Sequence, residues 1–246
     1  APRTVREVEQ IDVRSAAEYV ERGCTRDLQK NCRSAHDDGL FVIGMCGSQT
    51  LNFMVQMMGR TESALLLFLD DPALADALID KAVAIAIEKG KAMVEAGVDC
   101  IYIGDSYASA SLISPETYKR FCVPAYTRTA AEFKRMGVFC YQHCCGNYDP
   151  LLDCLPSIGV DAMDGIDPTS GMSVGHTKER IGAELTLMGG LSCLTLIDGT
   201  PEQVYDEASQ CVDQGKEGGR YVLGSACAVP RYTPGDNLMA ARQAVL

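Results

Sequence analysis

Val138-Phe-Cys-Tyr-Gln-His-Cys-Cys-Gly-Asn147 is the stretch on which the reading of this chain turns. Its first residues, Val138-Phe-Cys-Tyr141, form a short apolar run of the kind a buried strand shows. A polar turn containing glycine follows, and Asp149-Pro-Leu-Leu152 then opens a helix. Within the turn, His143 and Cys145 stand two residues apart. Residues at that spacing point to the same face of an extended backbone, so one imidazole and one thiolate are placed to meet one metal ion. Far downstream, Leu223-Gly-Ser-Ala-Cys227 closes the apolar run Tyr221-Val-Leu223 and supplies a third soft donor. One nitrogen and two sulfurs suit zinc. Three protein ligands with a fourth position open is the pattern of a catalytic zinc site. A plainer reading competes with this one. The chain has 12 Cys in 246 residues, so an H-x-C coincidence comes easily, and a cysteine at a strand end is commonly a small buried hydrophobe.

The same strand, turn and helix order recurs on both sides of this stretch. Residues 1–38 are polar, with helical spacing in Ala16-Ala17-Tyr19-Val20, and read as an N-terminal helical segment. Leu40-Phe-Val-Ile-Gly44 reads as a buried parallel strand, residues 51–69 as helical, and Asp71-Pro72 as the start of a longer helix that stops at Gly97. Asp99-Cys-Ile-Tyr-Ile-Gly104 is the second strand, and Ser114-Pro115-Glu116 caps a helix that ends near Gly137. After the third strand come Val160-Asp-Ala-Met163, with Asp164-Gly-Ile-Asp167 as its loop, then Leu185-Thr-Leu-Met188 and Tyr221-Val-Leu223. Helices are expected near residues 151–157, 174–181, 200–213 and 234–245. Six βα units in strict alternation predict a parallel sheet with covered faces. No G-x-G-x-x-G follows any strand, which removes the support for a dinucleotide fold. His143, Cys145 and Cys227 follow the third and sixth strands. In a barrel both loops open on one face; in a flat sheet they lie far apart. The ligand set therefore favours a TIM-type (β/α)8 barrel, and the readable strands leave it two short. The whole of 1–246 reads as a single barrel domain.

Composition narrows the function classes. The formal net charge is −11, which argues against nucleic acid or an anionic membrane as the main partner. The longest apolar stretches fall well short of a membrane span. Cysteines scattered through strands and helices of a chain this large are not a secreted disulfide framework. Next to His143, the pair Cys144-Cys145 reads better as reduced thiol chemistry, and the expectation is a cytoplasmic setting.

The order of motifs resembles the uroporphyrinogen decarboxylase superfamily from about Asp38 onward. The residues carrying the resemblance include Phe41-Val-Ile-Gly44, Glu95-Ala-Gly-Val-Asp99 leading to Gly104-Asp105-Ser106, Ser114-Pro-Glu116 and His143-x-Cys145-Gly146. They continue with Gly159-Val-Asp161-Ala162, Gly189-Gly190, Gly199-Thr-Pro-Glu202, Tyr221-Val-Leu-Gly224, Thr233-Pro234 and Asn237-Leu238. The superfamily's decarboxylases carry an Arg-rich opening segment and a His in the last glycine-containing loop. This chain lacks the first and has Cys227 in place of the second. The resemblance is nearest to the zinc-dependent, corrinoid-linked methyltransferases of the methylcobamide:coenzyme M type, whose H-x-C and distant Cys match His143, Cys145 and Cys227.

That resemblance implies a zinc ion, a corrinoid such as cobalamin carried by a protein partner, and a small thiol or methylated molecule as the second substrate. Cobalamin-independent methionine synthases are similar and add a Glu about two dozen residues past the His; Asp167 stands there, with Asp164 its rival as a fourth ligand. Asp105 and Gln49 are the candidates for contacting substrate, and Asp105 reads equally as a turn cap. Tyr102, Tyr107 and Tyr141 are the candidates for packing on a corrinoid, against a plainer role in the core. His36 and His176 read as surface residues. The resemblance further implies a barrel lacking its first two strands: either a fragment, or a short member completed by a second copy in a homodimer. A cofactor-free decarboxylase and a non-catalytic corrinoid- or metal-binding homologue are the competing expectations.

Overall fold

The computed structural model describes residues 1–246. Six strands run β1 (Ile43–Met45), β2 (Cys100–Gly104), β3 (Phe139–His143), β4 (Ala162–Ile166), β5 (Thr186–Leu191) and β6 (Tyr221–Ser225). All neighbouring pairs are parallel, and the order in the sheet is the order in the chain. Every connection contains at least one helix, as parallel pairing requires. The strict alternation read from the sequence is thus the architecture of the sheet.

The two faces of the sheet differ. On the convex face, Ile101, Ile103, Cys140, Met163 and Leu187 are buried beneath the helices. On the concave face, Ile43 and Met45 of β1, Tyr102, Tyr141, Met188 and Val222 of β6 line one cleft. A cleft walled by both edge strands means that the sheet is rolled. These are six consecutive βα units of the barrel kind, with β1 and β6 as free edges. Residues that a closed barrel would bury on its inside remain open here: Met45 is 61% exposed and Val222 49%.

Local departures from the sequence reading have identifiable causes. The run at 40–44 is expected to be a buried strand, but only Ile43–Met45 pairs, and Leu40 and Phe41 are exposed. As an edge strand, β1 has no neighbour on its far side. Residues 51–69 form two helices, Leu51–Met58 and Thr61–Asp70, separated at Gly59, whose φ of 76° is a left-handed cap. The helix entered at Pro115 widens into a π turn over Tyr118–Cys122 before Val123–Arg135. Pro124 has no N–H to donate to the carbonyl four residues back, and the Val123 N–H bonds Tyr118 O instead. A short helix, Cys193–Asp198, has no counterpart in the sequence reading. β4 extends to Ile166, so Asp164 lies on the strand and not in the loop beyond it.

The N-terminal segment holds three short helices, Val5–Glu9, Ala16–Glu21 and Arg26–Asp37. The first two pack on the long helix Pro72–Glu95, and the third is tied to the start of β2 by the contact of His36 Nε2 with Asp99. Lys81 donates to the carbonyls of Glu9 and Ile11, and Glu88 accepts the N–H of Ala16. No helix is long and apolar enough to cross a membrane.

Candidate metal centre

The C-terminal ends of β3 and β6 bring His143, Cys145 and Cys227 together, with their donor atoms all within 4.8 Å of one another. The separations are 3.1 Å from His143 Nε2 to Cys145 Sγ and 3.4 Å from Cys145 Sγ to Cys227 Sγ. Tetrahedral zinc with bonds of about 2.0–2.3 Å would hold such atoms roughly 3.5–3.8 Å apart. The three donors therefore need only a small outward movement to accept the ion. Cys144 faces away from the other two: it is buried, with its Sγ 3.7 Å from Ala108 O.

The imidazole is aimed from behind. His143 and Asp164 are register partners on β3 and β4, and His143 Nδ1 is hydrogen-bonded to an Asp164 carboxylate oxygen. A carboxylate behind a ligating histidine fixes its tautomer and turns the other nitrogen toward the metal. In this arrangement the Asp164 carboxylate faces Nδ1 and is not among the clustered donors. Its aim follows from alternation, since β3 and β4 pair without a break from Tyr141 with Ala162 to His143 with Asp164. The irregularity lies on the other side of β4, where the register with β5 shifts between Met163 and Ile166 and Gly165 sits at φ 97°.

Two glycines also let the strands close up around the site. A Cβ on Gly104 would lie 2.1 Å from His143 O, and one on Gly165 would lie 2.0 Å from Cys144 O. Neither position has room for a side chain.

Electrostatics follow from this packing. Burial pushes the His143 imidazolium down, but Asp164 and the Cys145 sulfur more than offset it and raise the group to about 9. The hydrogen bond from His143 holds the Cys145 thiol below its ordinary value, against the opposing pull of burial. Burial, with Cys145 alongside, raises the Cys227 thiol to about 11.

The remaining candidates fall into two groups. Tyr102 and Tyr141 line the cleft, a hollow of about 550 Å³ that His143, Asp164 and Cys227 also border. Their rings meet edge to face at 5.4 Å, and Tyr102 lies 5.6 Å from the His143 ring. Tyr107 packs against the core and is not part of that lining. Asp105 and Gln49 are buried and engaged in the scaffold. Asp105 accepts from Thr50 Oγ1, Asn52 N and Tyr107 N; burial pushes its carboxyl up, and those hydrogen bonds oppose the shift. Gln49 accepts from Gly104 N at 3.0 Å and donates to Gly47 O. Both therefore tie the loop after β1 to the end of β2. The Asp167 carboxylate is not among the clustered donors; it caps the turn Pro168–Ser170 by accepting from Thr169 N at 2.9 Å. Asp164, expected only as a rival ligand, is the group the sequence reading undervalued, and its even spacing from the strand's first residue is the signal that could have placed it.

Comparison with known proteins fits this geometry. The uroporphyrinogen decarboxylase (URO-D) family model matches residues 1–246. A methylated-thiol–coenzyme M methyltransferase of Methanosarcina mazei is 35% identical over 171 residues, which are 69% of this chain and 44% of that protein. A uroporphyrinogen decarboxylase of Myxococcus xanthus is 30% identical over 240 residues, or 93% of this chain and 66% of that protein. A solved methyltransferase from Methanosarcina mazei superposes with a TM-score of 0.73 at 25% identity, covering 83% of this chain and 58% of that one. The chain thus spans less than two thirds of the length of each of these relatives. It belongs to the uroporphyrinogen decarboxylase family, and within that family it is more similar to methyltransferases than to the decarboxylases.

Proposed function

We propose that this chain is a zinc-dependent methyltransferase that moves a methyl group between a corrinoid and a small thiol. The observation that carries the reading is the meeting of one imidazole and two cysteine sulfurs, with a carboxylate behind the imidazole. The donor set fits zinc in chemistry and in spacing. His143, Cys145 and Cys227 would hold the ion, and a fourth position would remain for water or the thiol. For Asp167 to fill that position it would have to release the Thr169 N–H. The ion would supply Lewis acidity that keeps a substrate thiol ionised at neutral pH.

The chain's own residues do the rest. Asp164 holds the proton on Nδ1 and leaves Nε2 as the donor. Cys145 and Cys227 would bring two negative charges to the ion, so a bound sulfur would keep its nucleophilicity. Tyr102, Tyr141 and Met188 wall the space in which the sulfur and the methyl carbon would approach. A corrinoid would supply the methyl group as the substrate from which the thiol sulfur takes it, its Co–C bonding pair staying with the corrinoid, while His143, Cys145 and Cys227 would hold the ion that keeps that sulfur ionised. A corrinoid protein is the partner this reaction calls for. A decarboxylase would need cations facing its substrate's carboxylates, and the cleft lining contains no Lys or Arg.

Incubation with methylcobalamin and a thiol, followed by absorbance, tests the proposal. Thiol-dependent loss of the methylcobalt spectrum is expected, absent in Cys227→Ala. Decarboxylation of a porphyrinogen with no effect on methylcobalamin would reverse the assignment.

A further inference from the structure

Resting on the metal site of that reading, we infer that Cys145 and Cys227 form a reversible disulfide when no ion holds them, so that zinc and a peroxide compete for the same two sulfurs. The sulfurs stand 3.4 Å apart although they are 82 residues apart in the chain. The parallel sheet sets that approach. Cys145 follows the end of β3 at His143, and Cys227 follows the end of β6 at Ser225. Both therefore sit on loops, where a local shift can close the remaining gap without moving a strand. The other thiols nearby are placed differently. Cys144 is buried on the opposite side, with its sulfur 3.7 Å from Ala108 O. Cys193 opens the helix Cys193–Asp198 and is the rival partner for Cys227, but its sulfur contacts the carbonyl oxygen of Ala228 at 3.7 Å.

The step balances with hydrogen peroxide as the oxidant. One sulfur attacks a peroxide oxygen; an S–O bond forms, the O–O bond breaks and a water leaves. The second sulfur attacks the first; the S–S bond forms, the S–O bond breaks and a second water leaves. The two thiols give up two electrons and two protons, and the peroxide is reduced to water. The product takes two of the three clustered donors and leaves His143 alone with Asp164 behind it, which is too few ligands for zinc. Only the dithiol form binds the ion. Zinc at about 100 times its Kd therefore favours the dithiol about 100-fold, and oxidation expels zinc by the same linkage. Metal content thus follows the redox state of one cysteine pair.

The full chain, metal-free and zinc-loaded, is treated with hydrogen peroxide, alkylated, digested and read by mass spectrometry, while a chromophoric chelator follows released zinc. A cross-link between Cys145 and Cys227 is expected, with zinc released in step with it and zinc binding restored by dithiothreitol. Excess zinc should slow the cross-linking roughly tenfold or more, because it depletes the free dithiol. Cys193→Ala should change neither the cross-link nor its rate. Oxidation to sulfinic or sulfonic acids without a cross-link would overturn the inference. So would a bond from Cys193 to Cys145 or Cys227 in the wild type, or zinc kept by the cross-linked protein. None of these results bears on methyl transfer by the reduced protein, which the methylcobalamin assay reads separately. A chain that cross-links but takes up no zinc would instead defeat the metal reading, and the competition with it.

Discussion

Protonation at His143 and Cys227 sets how this site meets a metal. At pH 7 the free site carries a proton on His143, raised to about 9, and one on the Cys227 thiol, raised to about 11. Both must leave before the atoms can ligate. Zinc binding at pH 7 should therefore release about two protons from these groups, plus whatever the Cys145 thiol still holds, and zinc affinity should climb as pH rises toward 9. Calorimetry in buffers of different ionisation enthalpy measures the proton count; a count near zero would contradict the assigned ligands. The metal-free protein shows the opposite trend for its own stability. The folded His143 value lies above the ordinary 6.5, so the stabilisation it contributes is complete below 6.5 and is lost as pH rises through about 9. Asp164 acts one step behind. Asp164→Ala removes the acceptor at Nδ1 and should weaken zinc binding by about 10–100-fold while leaving the three ligands in place. Competition with a chromophoric chelator reads that change, and an unaltered affinity would return Asp164 to a merely structural part.

Among the elements, the ends of β2, β3 and β4 explain both what the sequence discloses and what it conceals. The apolar run before His143, the following turn and the recurrence of that pattern identify the strand and its loop without any structure. Alternation then separates His143 and Cys145 from Cys144. The bulge at Gly165 is not legible, because it depends on how β4 pairs with β5. Asp164, expected in a loop, instead continues the strand and faces His143 in register. The surroundings of Asp105 and Gln49 are not legible for a related reason. Polar residues at strand ends look like substrate groups, and only the tertiary hydrogen bonds show that Thr50, Asn52, Tyr107 and Gly104 also engage them. Gly104 makes the tightness of these ends testable. Gly104→Ala places a Cβ against His143 O at a backbone angle, φ 127°, that L side chains rarely adopt. The strand end must shift, at a cost of about 1–3 kcal/mol. A lower denaturation midpoint together with weakened metal binding is expected, and a variant matching the wild type in both would show that the close approach is not needed.

For the molecule as a whole, the parallel sheet was readable from six apolar runs alternating with helical segments, and its rolling from the need to bring residues 143, 145 and 227 to one face. The open concave surface was not readable, since burial of Ile43, Met45 and Val222 depends on what neighbours the two edge strands. The central claim remains that three donors from two distant loops form one zinc site. Metal analysis of the full chain purified without chelator tests it most directly, alongside Cys145→Ala, Cys227→Ala and Cys144→Ala. Close to one zinc per chain is expected in the wild type and in Cys144→Ala, with most of it lost from Cys145→Ala and Cys227→Ala while circular dichroism stays unchanged. A wild-type protein that neither contains zinc nor takes it up, or a Cys144→Ala variant that loses the metal while Cys145→Ala keeps it, would contradict the assignment.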